Sequence, residues 1–120
     1  MLSLNTRTVR EVTVVAIGGR LSAGDAVTQL RAVLTPILDG GNGRLVLDLS
    51  DLGYMDSSGI EELIGTFQTL RSRNGGLRLL KPNSKVKELL DLTKLSDVLG
   101  VVDDEDAAIS GLLADAEAEG

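Results

Sequence analysis

The chain has 120 residues and carries 18 acidic against 12 basic side chains, a formal net charge of −6 at pH 7. Its length suits a single domain over residues 1–120, and its acidic balance argues against direct binding to nucleic acid, whose phosphates select basic surfaces. The sequence lacks both histidine and cysteine, which excludes a Ser-His-Asp triad, a His-bearing zinc site and all thiol chemistry.

The first third of the sequence predicts two strands and a helix. A weakly alternating strand over 4–9 and a second strand over 12–17 flank a tight turn at Arg10 and Glu11. The helix that follows has apolar residues at helical spacing: Val27, Leu30, Val33, Leu34, Ile37 and Leu38. Pro36 should kink or shorten this helix, and the glycine-rich turn 40–43 should end it.

The middle of the sequence continues this alternation of strands and helices. A central strand starts at Arg44 and runs into a polar loop that ends at Gly59. The second helix then shows apolar residues at the spacing of one helical face: Ile60, Leu63, Ile64, Phe67 and Leu70. A strand over 77–80 follows, and a third helix should start at Asn83 or Ser84.

The last third of the sequence predicts a short strand over 98–102 and a final helix. The acidic run 103–106 lies before that helix, and we interpret it as first-turn residues favoured by the helix dipole rather than as a metal site. The core should extend from about residue 4 to residue 112. The acidic tail 114–120 is expected to fray.

Strands separated by helices imply a mostly parallel sheet with helices packed on it. The opening hairpin adds an antiparallel pair, so the sheet should be mixed. We therefore predict an α/β domain with a mixed, mostly parallel sheet of four to five strands and about four helices. The loop after the central strand then lies at the carboxyl edge of the sheet, where open sheets tend to place functional loops.

The stretch from Asp48 to Gly59 is the most informative part of the sequence. It ends in Asp56, Ser57, Ser58 and Gly59, where the second helical pattern begins. Backbone N–H groups at a helix N-terminus lack internal partners, and negative charge is favoured there. The position therefore suits a hydroxyl or a phosphate.

Local chemistry allows two structural interpretations of this helix start. Ser58 and Glu61 could form a capping box. Asp56 could cap the helix instead, with Met55 and Ile60 as a hydrophobic staple. In the second case Ser58 falls in the first turn, where its hydroxyl is open to a kinase.

Catalysis by these serines is not expected. A nucleophilic serine normally needs a base, usually histidine, and Met55 stands where a Gly-x-Ser-x-Gly motif around Ser57 would require glycine. Modification of Ser57 or Ser58 by another enzyme fits better. We therefore expect a protein without catalytic residues, metal or cofactor of its own.

The stretch also has a specific order: Asp48-Leu49-Ser50, then Tyr54-Met55-Asp56-Ser57-Ser58-Gly59. This order resembles the signature of STAS domains, the fold of bacterial anti-sigma factor antagonists. Three further segments fall in family order: Gly19-Arg20-Leu21, Asn74-Gly75-Gly76 and Leu92-Thr93-Lys94-Leu95. The resemblance covers roughly residues 4–112.

One position departs from the family pattern. Family members commonly carry Asp directly after the Gly-x-Leu turn, whereas this chain has Ser22 there and Asp25 three residues further on. In the family's fold that turn lies near the phosphorylation loop and helps form the partner-binding face. The resemblance thus implies that Ser22 and Asp25 join Asp56, Ser57 and Gly59 in docking. Ser22 could also cap the helix that follows it.

The resemblance implies a switch between two protein partners. An unphosphorylated antagonist binds an anti-sigma factor that is also a serine kinase, and thereby frees a sigma factor. The kinase uses ATP to phosphorylate the serine just before the motif glycine, which ends the binding, and a serine phosphatase resets the switch. Carried onto this sequence, the acceptor is Ser58, with Ser57 as the second choice.

Three alternative functions stay open. A stressosome-type scaffold would use the same fold and serine in a larger assembly, and the sequence does not fix the oligomeric state. A STAS module can serve as a transporter's cytoplasmic tail, yet no apolar run approaches the ~20 residues that span a bilayer. A module that binds a nucleotide or other small ligand would lack a Gly-Lys phosphate loop. Polar residues 5–8 interrupt any signal-peptide core, so we expect a cytoplasmic protein without membrane contact.

Overall fold

A computed structural model describes residues 2–40 and 43–119, with side chains described as far as residue 115. These residues form six strands and four helices. In chain order they are β1 (Leu2–Val9), β2 (Val12–Leu21), α1 (Asp25–Gly40), β3 (Arg44–Asp48), β4 (Leu52–Met55), α2 (Ser57–Ser72), β5 (Gly76–Leu80), α3 (Ser84–Leu92), β6 (Val101–Val102) and α4 (Glu105–Glu119).

The strands form one mixed sheet in the order β1-β2-β3-β5-β6, and β4 pairs with β2 off this path. Only the β1–β2 pair is antiparallel. β3 pairs with residues 13–16 of β2, whereas β4 pairs with residues 19–21. The two short strands therefore lie end to end along one long strand. The predicted α/β class and mixed, mostly parallel sheet are confirmed.

Successive side chains along a strand point to opposite faces of the sheet. The apolar side chains on each face form a separate buried cluster. On one face, Val15 and Ile17 of β2 pack with α1, α2 and α3 in the larger cluster. On the other face, Val12 and Val14 pack with α4. Because α4 alone contributes helical residues to the smaller cluster, the domain has three helices on one face and one on the other.

The turn at Arg10 and Glu11 is confirmed. Both residues have positive φ, 51° and 68°, which is the combination that a two-residue type I′ hairpin turn requires. Val9 and Val12 pair directly across it. The hairpin thus closes at the end of β2 that lies opposite the carboxyl ends of the parallel strands.

Of the predicted kink or shortening of α1 at Pro36, the shortening is wrong, because the helix continues to Gly40. Proline cannot donate a hydrogen bond to the carbonyl of residue 32. Both Pro36 and Ala32 are exposed, so water can satisfy that carbonyl. Of the predicted turn 40–43, Gly41 and Asn42 lie outside the described residues.

The sheet has one strand more than the upper end of the predicted range, and the additional strand is β4. At the other end of the chain, β6 is shorter than the predicted strand 98–102, because residues 96–100 form turns and Gly100 has a φ of 67°. The acidic run is confirmed as a helix start. Asp104 Oδ2 accepts a hydrogen bond from the Ala107 N–H at 2.9 Å, and Glu105 and Asp106 lie in the first turn.

Candidate functional site

Two polar loops meet where β2 and β4 end. Leu21 and Met55, the last residues of these strands, are direct neighbours in the parallel register. The Asp56 N–H donates to the Leu21 carbonyl at 3.3 Å. The loop 22–24 therefore lies against the start of α2.

The carboxylate of Asp56 holds the two loops together. Its Oδ1 accepts hydrogen bonds from the N–H groups of Ser58 at 2.9 Å and Gly59 at 3.3 Å. Its Oδ2 accepts one from the Ala23 N–H, in the other loop, at 3.2 Å. One side chain thus caps α2 and binds the backbone that leads into α1.

These bonds decide between the two predicted caps. Asp56 has extended backbone angles and caps α2, which begins at Ser57. A capping box between Ser58 and Glu61 is wrong, because Ser58 is already inside the first helical turn. Met55 and Ile60 are both buried in the larger cluster, as expected of the staple residues beside an Asp56 cap.

The environment of Asp56 keeps its carboxylate ionised. Desolvation acts to raise the pKa of Asp56, but backbone hydrogen bonds from Ala23, Gly59 and Ser58 favour the charged form and together lower that pKa below its ordinary value. At neutral pH the start of α2 therefore already holds one negative charge. A phosphate added beside it meets electrostatic repulsion as well as the attraction of the helix N-terminus.

The two serines differ in exposure. Ser57 is exposed, whereas Ser58 is half-buried. Within the described residues, neither hydroxyl makes a hydrogen bond. The bond between Ser58 and Asp56 uses the backbone N–H of Ser58 and leaves its hydroxyl unused. Because Asp56 supplies the cap, α2 does not need either hydroxyl as its cap.

Gly59 allows the close contact between α2 and β2. A Cβ atom at this position would lie 2.5 Å from Met55 Cγ and 3.0 Å from the Leu21 carbonyl oxygen. The first distance is shorter than real Cβ contacts and the second is tighter than most of them, so a larger side chain would force Met55 or the helix start to shift. The motif glycine therefore has a steric role in presenting the two serines.

The structure brings the loop of Ser22 next to the serines but does not make Ser22 a cap. α1 begins at Asp25, and the Gly24 carbonyl accepts the first helical hydrogen bond, from the Thr28 N–H at 3.2 Å. The predicted cap by Ser22 is therefore wrong, because Gly24 occupies the cap position. Ser22 is half-buried and Asp25 is exposed, on the loop that Asp56 binds through Ala23.

Sequence reasoning missed a stacked pair and a groove beside this site. The Arg20 guanidinium lies 4.1 Å from the centre of the Tyr54 ring, because Arg20 and Tyr54 are register partners on β2 and β4. Tyr54 also lines an open groove of about 380 Å³ between β4 and α3. The pairing of β4 with β2 creates both features, and no short-range pattern in the sequence signals that pairing.

Metal-binding clusters and membrane-spanning helices are both absent from the described residues. In the described ranges no group of three or more acidic side chains is placed to hold a metal ion. No helix there is long and apolar enough to cross a membrane.

Comparison with known proteins finds the family that the motif indicated. The STAS domain family model matches residues 3–108. The anti-sigma-B factor antagonist of Staphylococcus aureus is 30% identical over 100 residues, which cover 83% of this chain and 92% of that protein. The protein of the same name from Staphylococcus epidermidis gives the same identity and coverage.

Solved structures agree with this result. The anti-sigma factor antagonist SpoIIAA in its unphosphorylated form is 26% identical with a TM-score of 0.79, covering 95% of this chain and 97% of that one. The phosphorylated form of the Bacillus cell fate determinant SpoIIAA is 28% identical with a TM-score of 0.70, covering 92% and 97%. Since the family model spans most of the sequence and the signature lies at the rim where β2, β4 and α2 meet, the chain belongs to the STAS domain family.

Proposed function

We propose that this protein is an anti-sigma factor antagonist controlled by phosphorylation of Ser58. In the unphosphorylated state it binds an anti-sigma factor that is also a serine kinase, and so frees a sigma factor. The observation that carries the proposal is the unused hydroxyl of Ser58 in the first turn of α2, beside the loop of Ser22 and Asp25. The antagonist relatives and the phosphorylated form of SpoIIAA support it.

The charge of a phosphate explains how such a switch works. Phosphorylation adds about −1.5 to −2 charges at neutral pH. The N-terminus of α2 attracts this charge, whereas the Asp56 carboxylate and the nearby Glu61 and Glu62 repel it. These opposing effects leave the fold intact. A partner docked on the rim would have to desolvate the dianion, so the complex separates.

In this proposal the protein is a regulator and a substrate, with no catalytic activity of its own. A serine phosphatase removes the phosphate and restores binding. The protein acts in the cytoplasm together with both partners. Asp56, Ser57 and Gly59 form the docking face together with Ser22 and Asp25.

The choice between the two serines rests on opposite arguments. Accessibility alone favours Ser57, which is exposed, over Ser58, which is half-buried. Position in the family motif favours Ser58, since it directly precedes Gly59. We assign Ser58, and direct mapping of the phosphate distinguishes the two.

The test is a phosphorylation assay with matched variants. The purified protein, Ser57→Ala and Ser58→Ala are each incubated with magnesium, ATP and each anti-sigma factor kinase encoded in the same genome, and modified peptides are mapped by mass spectrometry. We expect phosphate on Ser58 in the wild type and in Ser57→Ala, and none in Ser58→Ala. Ser58→Ala should also stay bound to the kinase when ATP is present. Unaltered phosphorylation of Ser58→Ala would overturn the assignment.

A further inference from the structure

The groove between β4 and α3 is open to solvent and has a volume of about 380 Å³. β4 supplies one wall and α3 the other. The lining residues are Gly53, Tyr54, Met55, Lys85, Val86, Glu88, Leu89 and Leu92.

Two of the lining residues have large apolar side chains that are exposed to solvent. Leu92 is 74% exposed and Tyr54 is 40% exposed. Among the residues with described side chains, the only other large hydrophobic that is exposed is Val98, at 52%, and it does not line the groove. Exposed apolar side chains that converge on one concavity indicate a contact surface, whereas single ones do not.

The groove is continuous with the serine loop. Met55 lines it and is followed directly by Asp56, the cap of α2. Tyr54 lines it from the residue before. The β4 wall of the groove therefore adjoins the loop on which a partner of Ser58 would dock.

Two basic side chains and one acidic side chain lie at the groove. Lys85 lines the groove, and the Arg20 guanidinium lies over the Tyr54 ring at 4.1 Å from its centre. Glu88 is the one acidic side chain in the lining. In a chain with a net charge of −6, basic groups thus outnumber acidic ones beside the apolar side chains of the groove, which complements an apolar side chain flanked by carboxylates.

We propose that this groove binds a segment of the anti-sigma factor in which an apolar side chain lies next to acidic residues. The apolar side chain packs between Tyr54 and Leu92, and the acidic residues pair with Lys85 and Arg20. This inference rests on the proposed function, because it names a second contact made by the same partner. The groove supplies binding affinity that does not depend on the serine. Phosphorylation of Ser58 opposes this affinity and weakens the complex as a whole.

The first test removes the apolar contact. Binding of the unphosphorylated full chain to the kinase that modifies Ser58 is measured by isothermal titration calorimetry. Leu92→Gln should weaken binding about tenfold, as expected for a side chain central to an interface. Val98→Gln is the matched control, since it removes another exposed apolar side chain outside the groove, and its Kd should stay within about twofold of wild type. Both variants change exposed positions, so their melting temperatures should match that of the wild type.

The second test reverses the charge. Lys85 lies in the first turn of α3, where glutamate is favoured by the helix dipole, so Lys85→Glu should fold normally. We expect it to weaken binding about threefold to tenfold and to reduce the dependence of Kd on salt. Arg10→Glu makes the same charge change in the turn at the opposite end of β2 and should leave Kd within about twofold of wild type.

The outcomes separate this inference from the proposed function. If the wild type binds the kinase and both groove variants bind as tightly, the groove proposal is overturned and the proposed function stands. If the wild type binds none of the anti-sigma factors, the proposed function fails and the groove proposal fails with it. If Leu92→Gln turns a dimer into a monomer in sedimentation equilibrium without changing the Kd for the kinase, the groove binds a second copy of this chain instead.

Discussion

Gly59 is the residue at which the site has the least space. A methyl group there would overlap Met55 and the Leu21 carbonyl, so we expect Gly59→Ala to lower the free energy of unfolding by about 1–3 kcal/mol. Gly65 is a control in the same helix, because a Cβ at that position meets nothing within 4 Å. Gly65→Ala should therefore stabilise the protein by about 0.5–1 kcal/mol. Urea denaturation measures the change in the free energy of unfolding for both variants. A change of the same sign in both would contradict the steric role of Gly59.

Asp56 predicts a defined pH dependence. Because its pKa is lower in the folded protein than in the unfolded chain, its carboxylate stabilises the fold above the ordinary Asp pKa of about 3.9, and this contribution is lost as the pH falls through the folded pKa. Asp56→Asn keeps a good capping residue but cannot titrate. We expect the melting temperature of the wild type to exceed that of Asp56→Asn at pH 7, and the difference to shrink towards pH 3. A difference that stays constant over this range would show that the charge is not responsible.

The identity of the cap illustrates what the sequence alone could settle at this scale. The motif located the helix start to within two residues, because Asp and Ser are both common cap residues. It could not choose between Asp56 and Ser58, since both have a side-chain oxygen at suitable spacing. The Ala23 N–H favours Asp56, and this group comes from a loop 33 residues away in the chain. The local sequence preference was equal for both residues, and a tertiary hydrogen bond determines which of them caps α2.

Among the elements, α3 depends on one residue that also binds the sheet. Asn83 Oδ1 accepts a hydrogen bond from the Val86 N–H at 2.8 Å, and Asn83 Nδ2 donates to the Leu52 carbonyl of β4 at 3.0 Å. Loss of a cap and of a hydrogen bond each lowers stability by about 1 kcal/mol. Asn83→Ala should therefore destabilise the protein by about 2 kcal/mol. Asn83→Ser keeps the capping oxygen but loses the bond to β4, so it should lower the free energy of unfolding only about half as much in chemical denaturation. Equal losses for the two variants would mean that the cap contributes nothing, and no loss in Asn83→Ser would mean that the bond to β4 contributes nothing.

The elements that periodicity predicted are the long ones. α1 and α2 each bury one face, and β2 has buried side chains on both, so their apolar patterns are visible in the sequence. β4 has four residues, of which only Leu52 and Met55 are buried, and this is too few to show a period. It is a strand because β2 is ten residues long and extends beyond its pairing with β3. The groove follows from that pairing, which is why the sequence did not reveal it.

For the molecule as a whole, the proposed switch changes surface charge and leaves the fold intact. Ser58→Asp places a negative charge in the first turn of α2, where the helix dipole offsets the repulsion from Asp56. The melting temperature should therefore shift by less than about 3 °C. Binding to the anti-sigma factor kinase should weaken at least about tenfold, because the partner must desolvate the charge. A large drop in melting temperature would instead assign Ser58 a structural role in the start of the helix.

Tyr54 makes binding at the groove observable by intrinsic fluorescence. It is the only tyrosine in the sequence, and the chain has no tryptophan, so the tyrosine emission of the protein arises at the groove wall alone. The ring is 40% exposed and stacked under Arg20, and a segment that covers it changes both its access to a collisional quencher such as acrylamide and its emission intensity. Occupancy of the groove can therefore be followed in the unlabelled protein with a peptide that lacks both tryptophan and tyrosine.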